Sequence, residues 1–211
     1  MNRTWYNRIW INNKARLGII IVSSFIIIAA IGPIFFEDPN AYIDIPLLEP
    51  SFAHLFGTTG QGQDVFAQTI VGARSTLFIG FGTGILVVLL GLIVGSLSGY
   101  FGRRIDNVLS LIINIFLLMP GLPLMVIIAA WLPPGPFSIM GVLVFTGWAW
   151  NARVLRSQVL SLRERDYVNA SIVSGESNTK VIIYQIWPQM LSLIMASFIG
   201  ATVYAIGAQV G

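Results

Sequence analysis

The 211-residue chain has no cysteine, a single histidine and two lysines, and only 10% of its residues are charged. Each scarcity excludes a class of chemistry. Without cysteine there is no disulfide, no thiolate metal site and no cysteine nucleophile. His54 cannot build a histidine metal cluster by itself, and neither Lys14 nor Lys180 follows a glycine-rich loop, so the chain has no phosphate-binding P-loop of its own. No catalytic residue, metal site or cofactor is expected. Soluble domains carry about a quarter charged residues. Here 55% of residues are hydrophobic and the mean hydropathy is +0.79, which leaves too few polar groups to cover a soluble surface. The composition is that of a membrane protein.

Charge placement then orders the chain. About 20 apolar residues cross a bilayer as a helix. Runs of that kind occupy Leu17–Phe36, Thr76–Tyr100, Ile105–Leu132, Phe137 to about Trp150, and Met190 to the end. The first follows a basic start, but it is longer than a signal-peptide core and lacks a small-x-small cleavage site, so it is read as an uncleaved span. The expected fold is an all-α polytopic membrane protein with about five transmembrane helices. With the N-terminus cytoplasmic, eleven of the twelve basic residues lie inside and only Arg74 outside, while the 37–75 loop holds Glu37, Asp38, Asp44, Glu49 and Asp64. This is the positive-inside pattern of a plasma or inner membrane protein. The net charge of +3 therefore reports topology, and no nucleic acid is expected as a partner.

The expected organisation is 1–36 as cytoplasmic start and first span, 37–75 as extracytoplasmic loop, and 76–211 as the membrane core. Within that core a polar cytoplasmic segment, 161–189, separates the fourth and fifth spans. It is long for a mere connection. Asp166 is a suitable N-cap, Tyr167–Ser174 holds no breaker, and Gly175 can end a short helix in a left-handed conformation. Ser177 or Asn178 can cap a second helix through Ile186, stopped before Pro188. Val168 and Ile172 lie one turn apart on the first helix.

That segment resembles the cytoplasmic loop of the integral permeases of ABC importers, a pattern of E-A-A, a glycine, then isoleucine and proline. The matching positions are Asn169-Ala170-Ser171, Gly175, Ile186 and Pro188, preceded by Asp166-Tyr167-Val168, which is similar to the dipeptide, oligopeptide and nickel branch. Asn169 and Ser171 depart from the family's glutamate and second alanine. A second stretch, His54 to Asp64 followed by Gly72-Ala73-Arg74-Ser75, resembles that branch's H-P-[LF]-G-T-D-x-x-G-R-D and G-A-R-x-S, matching at Gly57, Thr58, Gly62 and Asp64 but carrying Thr59 and Gln63 where the family has aspartate and arginine. The resemblance implies a permease subunit that forms the pathway with a second permease. It implies cytoplasmic ATPase subunits docked on 166–188, chiefly through Ala170, Gly175, Val168 and Ile172, and an extracytoplasmic binding protein that delivers peptides, nickel complexes or related solutes. Branch members have a sixth span, so the chain reads as a fragment or a truncated gene product, or its last span is supplied differently.

Inside the membrane, Gly91, Gly95 and Gly99 share one helix face, where backbones can approach closely. Both a sliding contact and static packing fit. Pro120 and Pro123 interrupt the third span. Asn114, on the same span, is read chiefly as an interhelical hydrogen-bonding group and secondarily as a pathway residue. No aspartate, glutamate, lysine or histidine sits deep in an apolar run, and such a charge, costing roughly 2.5–3.5 kcal/mol, usually marks ion coupling. This weighs against a secondary transporter or channel. A membrane scaffold that recruits a soluble partner through 161–189 is the other alternative, and dependence of uptake on an ATPase separates the three.

Overall fold

The computed structural model describes residues 12–36, 41–42 and 44–209. It divides into two compact units, residues 1–78 and 79–211. The described residues contain no β-strand, only an isolated bridge between Thr58 and Asp64.

The first unit begins with helix α1, Asn13–Ile31, whose amides at Lys14 and Ala15 are capped by the Asn12 side chain. A 3-10 turn at Gly32–Ile34, started by Pro33, ends it. Of the α1 residues only Ala29 is buried; the helix's exposed isoleucines, Leu17, Val22 and Phe25 form an apolar surface of the kind that lipid covers. Gly32 lies against the Ile70 side chain, where a β-carbon would collide. The following loop closes on itself and leads into α2, Val65–Phe101, which continues through the boundary between the units. Phe66 receives the edges of Phe36 and Phe56, with ring centroids 5.9 and 5.2 Å away.

The second unit holds the remainder of α2, then α3 (Arg103–Leu118), α4 (Gly121–Trp131), α5 (Pro136–Arg163), α6 (Asp166–Val173), the single turn α7 (Asn178–Lys180) and α8 (Leu191–Ala208). Helix α5 packs against α3, α4 and α8. Between α7 and α8 the chain passes through a π-helical stretch, Val181–Ile186, and a 3-10 turn, Trp187–Met190. Among the described residues, three helical runs are long and apolar enough to cross a membrane: Asn13–Ile34, Val65–Phe101 and Asn178–Ala208. The pair α3 and α4, bent by 88° at its break, raises this to as many as four. The apolar segment expected as the fourth span is the first half of α5, a 28-residue helix whose second half carries Arg153, Arg156 and Arg163.

Two sequence expectations are corrected here. Helix α6 starts with Asp166 as its first helical residue; Arg165 occupies the N-cap position and makes no side-chain capping bond. Asp166 instead sits in the first turn, where the positive end of the helix favours a carboxylate. The second short helix also does not stop before Pro188. Proline lacks an amide hydrogen and its ring crowds the carbonyl four residues back. The widened π turn absorbs both defects, with the Trp187 amide reaching back to Ile182 O. Helical structure therefore runs on into α8.

Candidate functional site

Helix α6 and the turn behind it form a ledge at the end of α5, separated from it only by Glu164 and Arg165. Its C-terminus closes as a Schellman motif. The Gly175 amide donates to Ile172 O at 3.0 Å and the Glu176 amide to Ser171 O at 3.1 Å, with Gly175 at φ 82°. The left-handed glycine expected from the sequence is present. Beyond it, Tyr100 Oη donates to Asn178 Oδ1 at 3.1 Å, and Arg163 Nη1 donates to Gly99 O at 3.1 Å. The first bond fastens the turn behind α6, and the second the end of α5, to the end of α2.

The proposed docking residues divide into two faces. Val168 is fully buried, packed with Leu155, Val159, Leu162, Val181, Ile186 and Met190. It holds α6 to the body, so it is unavailable to a partner, whereas Ile172, one turn further along the same helix, is exposed. Ile186 is likewise buried. Asp166, Tyr167, Asn169, Ala170 and Ile172 are exposed, and Val173, which sequence reasoning passed over, is 89% exposed. Ala170 leaves a shallow spot between Tyr167 and Val173, one turn away on either side. Ser171 is partly covered, and its hydroxyl donates back to Tyr167 O at 3.1 Å. Pro188 lies in the 3-10 turn behind the ledge.

The glycine stripe meets α5 backbone to backbone. A β-carbon on Gly91 would lie 2.9 Å from Asn151 Cβ and 3.0 Å from the Ala152 nitrogen. On Gly95 it would lie 2.8 Å from Ala152 O, and on Gly99 2.9 Å from Arg156 O. The three residues form a tight seam in this structure. Beside it, Trp187 Nε1 donates to Ser96 Oγ at 2.9 Å, connecting the π-helical stretch to α2.

The residues named for a possible pathway lie on α3 and at the start of α4. Asn114 Oδ1 accepts a bond from Arg153 Nη2 at 2.6 Å, the interhelical role expected of it. Pro120 is the N-cap of α4, following extended Met119, so the third span is broken outright. Pro123 falls in the first turn of α4, where a missing amide costs little. A separate open groove of about 460 Å³ is lined by Val87, Gly147, Trp150, Asn151, Ser197 and Tyr204 among others. None of Asn114, Pro120 or Pro123 lines it.

In the first unit the second sequence motif is a tied loop. Thr58 Oγ1 donates to Ile45 O at 2.7 Å and accepts from the Leu48 amide at 2.9 Å. Gly57 and Gly62 adopt φ 73° and 72° against the carbonyls of Leu48 and Asp44, leaving no room for a side chain. Thr59, at the family's aspartate position, accepts the amides of Gln61 and Gln63. Asp64 Oδ1 caps α2 through the Phe66 and Ala67 amides. Its other oxygen meets His54 Nδ1 at 2.9 Å, while His54 Nε2 faces Asp44 at 3.4 Å. The hydrogen bond to Asp64 raises the His54 pKa above its ordinary value against the opposing effect of burial, and Asp44 adds to the rise. Burial alone would raise Asp64, but the bonds from His54 and the two amides hold it below the ordinary carboxylate value. Asp44 is lowered by the Ile45 amide and then by His54. Among the described residues, no group of three or more histidine or acidic side chains could hold a metal ion.

A family model described as "Binding-protein-dependent transport system inner membrane component" matches residues 87–211, which include the glycine seam, the ledge and α8. The chain belongs to this family. It is 34% identical over 188 residues to an oligopeptide transport system permease protein, OppC, of Bacillus subtilis (strain 168), covering 88% of this chain and 62% of the relative. A dipeptide transport system permease protein, DppC, of the same organism is 34% identical over 194 residues, covering 90% of this chain and 60% of the relative. A nickel transport system permease protein, NikC, of Escherichia coli (strain K12) is 32% identical over 173 residues, at 81% and 62%. The chain thus spans less than two thirds of the length of these relatives. They are named as transport permeases rather than enzymes, and the family is one of the inner membrane.

Proposed function

We propose that the chain is a pathway-forming permease subunit of an ATP-driven importer for peptides, nickel complexes or related small solutes. It works with a second permease, cytoplasmic ATPase subunits and an extracytoplasmic binding protein. The observation that carries this reading is the ledge: a short helix held from behind by Val168, closed by Gly175, and presenting Tyr167, Ala170, Ile172 and Val173 outward. An amphipathic helix of that kind suits a groove on a soluble partner. The proposed orientation puts the N-terminus and the ledge in the cytoplasm and the His54–Asp64 loop outside, as the basic residues support. Substrate class rests on the names of the relatives.

Capture of a candidate ATPase subunit, from detergent and with the second permease present, tests the reading. The Gly175→Pro variant cannot adopt φ 82° and has no amide for Ile172 O. Capture by wild type and loss of capture by an inserted Gly175→Pro protein is the expected result. No capture by wild type would sink the proposal.

A further inference from the structure

Asp106 and Arg156 tie the broken helix to α5. Arg156 Nε donates to Asp106 Oδ1 at 2.5 Å and Nη2 donates to Oδ2 at 2.6 Å. Such a two-point fork fixes orientation as well as distance. Ser98 of α2 and Ser110 of α3 donate to the same Oδ1, at 2.5 and 3.1 Å, and Arg156 Nε also reaches Ser98 Oγ at 3.2 Å. Three helices therefore meet at one carboxylate. One turn earlier on α5, Arg153 donates to Asn114, so α5 grips α3 at two levels. A further grip on this stretch of α5 comes from the Gly91, Gly95 and Gly99 seam.

The location gives the pair its consequence. At one end α5 leads into the ledge through only Glu164 and Arg165, and at the other end α3 stops at the break before Pro120. Val168 packs α6 against Leu155, Val159 and Leu162 of α5. We propose that Asp106 and Arg156 are positioning residues of the transport cycle, clamping α3 to α5 so that displacement of α6 reaches the break at Met119–Pro120. This inference rests on the importer reading. It assigns to the pair a task distinct from holding the fold together: fidelity of coupling between ATP hydrolysis and solute movement.

The test uses the assembled importer with Asp106→Asn, which keeps the side-chain size, and Arg156→Lys, which keeps the charge but loses the fork. Uptake is read as solute moved per ATP hydrolysed, alongside ATPase capture and recovery of the assembled complex. The chain has no cysteine, so cysteines introduced at exposed Val108 on α3 and Glu176 beyond α6 are its only labelling sites, and selective spin labelling needs the partner subunits' own cysteines replaced. The expected result is normal ATPase capture in both variants and a fall in uptake per ATP of roughly fivefold or more, the lower end of the usual range of coupling between sites. The 108–176 separation should stay constant between nucleotide-free and ATP-trapped wild type and shift in Asp106→Asn. Unchanged uptake per ATP in both variants overturns the inference. So does a loss of uptake that only follows loss of assembled complex, or a wild-type separation that already changes with ATP. Failure of wild type to capture any ATPase removes the importer reading first, and the positioning role with it.

Discussion

A β-carbon on Gly95 would stand 2.8 Å from the Ala152 carbonyl oxygen and 2.9 Å from the Arg156 amide nitrogen. The obstacle is backbone on both sides, which cannot swing aside as a side-chain tip can. Gly95→Ala is therefore expected to lower the unfolding midpoint in detergent, by a cost of about 1–3 kcal/mol, typical of overpacking. Gly141→Ala, on α5 with nothing near its β position, should be neutral or slightly stabilising. Equal effects of the two would argue against the seam.

Val168 and Val173 test the two faces of α6. Val168→Ala removes part of a fully buried side chain and should destabilise by up to about 1.5–3 kcal/mol, the value of burying a whole valine. Val173→Ala, on an 89% exposed side chain, should leave the unfolding midpoint within experimental scatter while weakening ATPase capture. The reverse assignment of the two effects would refute the division of faces.

At Gly175 the surroundings leave open space around the β position, so only the backbone conformation resists substitution. Gly175→Ala should cost about 1–2 kcal/mol, the left-handed penalty of an ordinary residue. Gly175→Asn should cost less, because asparagine visits that region more readily. Faster amide exchange over 166–176 in the alanine variant is the measurement, with the asparagine variant intermediate.

The His54 bridge gives the 44–64 loop a pH signature. A raised histidine pKa contributes stability that is fully present below about 6.5 and is lost as pH rises through the higher folded value. The lowered Asp64 and Asp44 contribute stability that is present above about 3.8 and is lost as pH falls through their folded values. Protease resistance of the loop should therefore be greatest between about pH 4 and 6.5 and decline on the alkaline side. His54→Gln should abolish the alkaline decline. A wild-type loop equally resistant from pH 5 to 9 would rule the bridge out.

Much of the molecule could be read from local pattern. The apolar runs locate the middles of the helices, though α2 starts at Val65 and α5 continues to Arg163 beyond them; Met119-Pro120 marks the break and Gly175 the left-handed turn, because each depends on residues within a few positions of one another. The amino-acid order also carries the Gly91, Gly95 and Gly99 face, though not what meets it. The ledge was legible as a helix, a glycine and a second helical start, but its orientation was not. Val168 and Ile172 look equivalent in sequence, one turn apart on the same side of α6, and only tertiary packing covers Val168 while leaving Ile172 exposed.

By itself, then, the sequence determined a helical membrane protein, the places where its helices break, and a short polar helix between two apolar segments. Tertiary structure decided which side of that helix is free, how Pro188 is absorbed without ending the helical run, and which charges pair. Asp106 and Arg156 are 50 residues apart and read in sequence as ordinary flanking charges. Their fork exists only because the seam of α2 on α5 and the packing of α3 fix the rotation of each helix about its axis, and rotation is set by packing among distant residues.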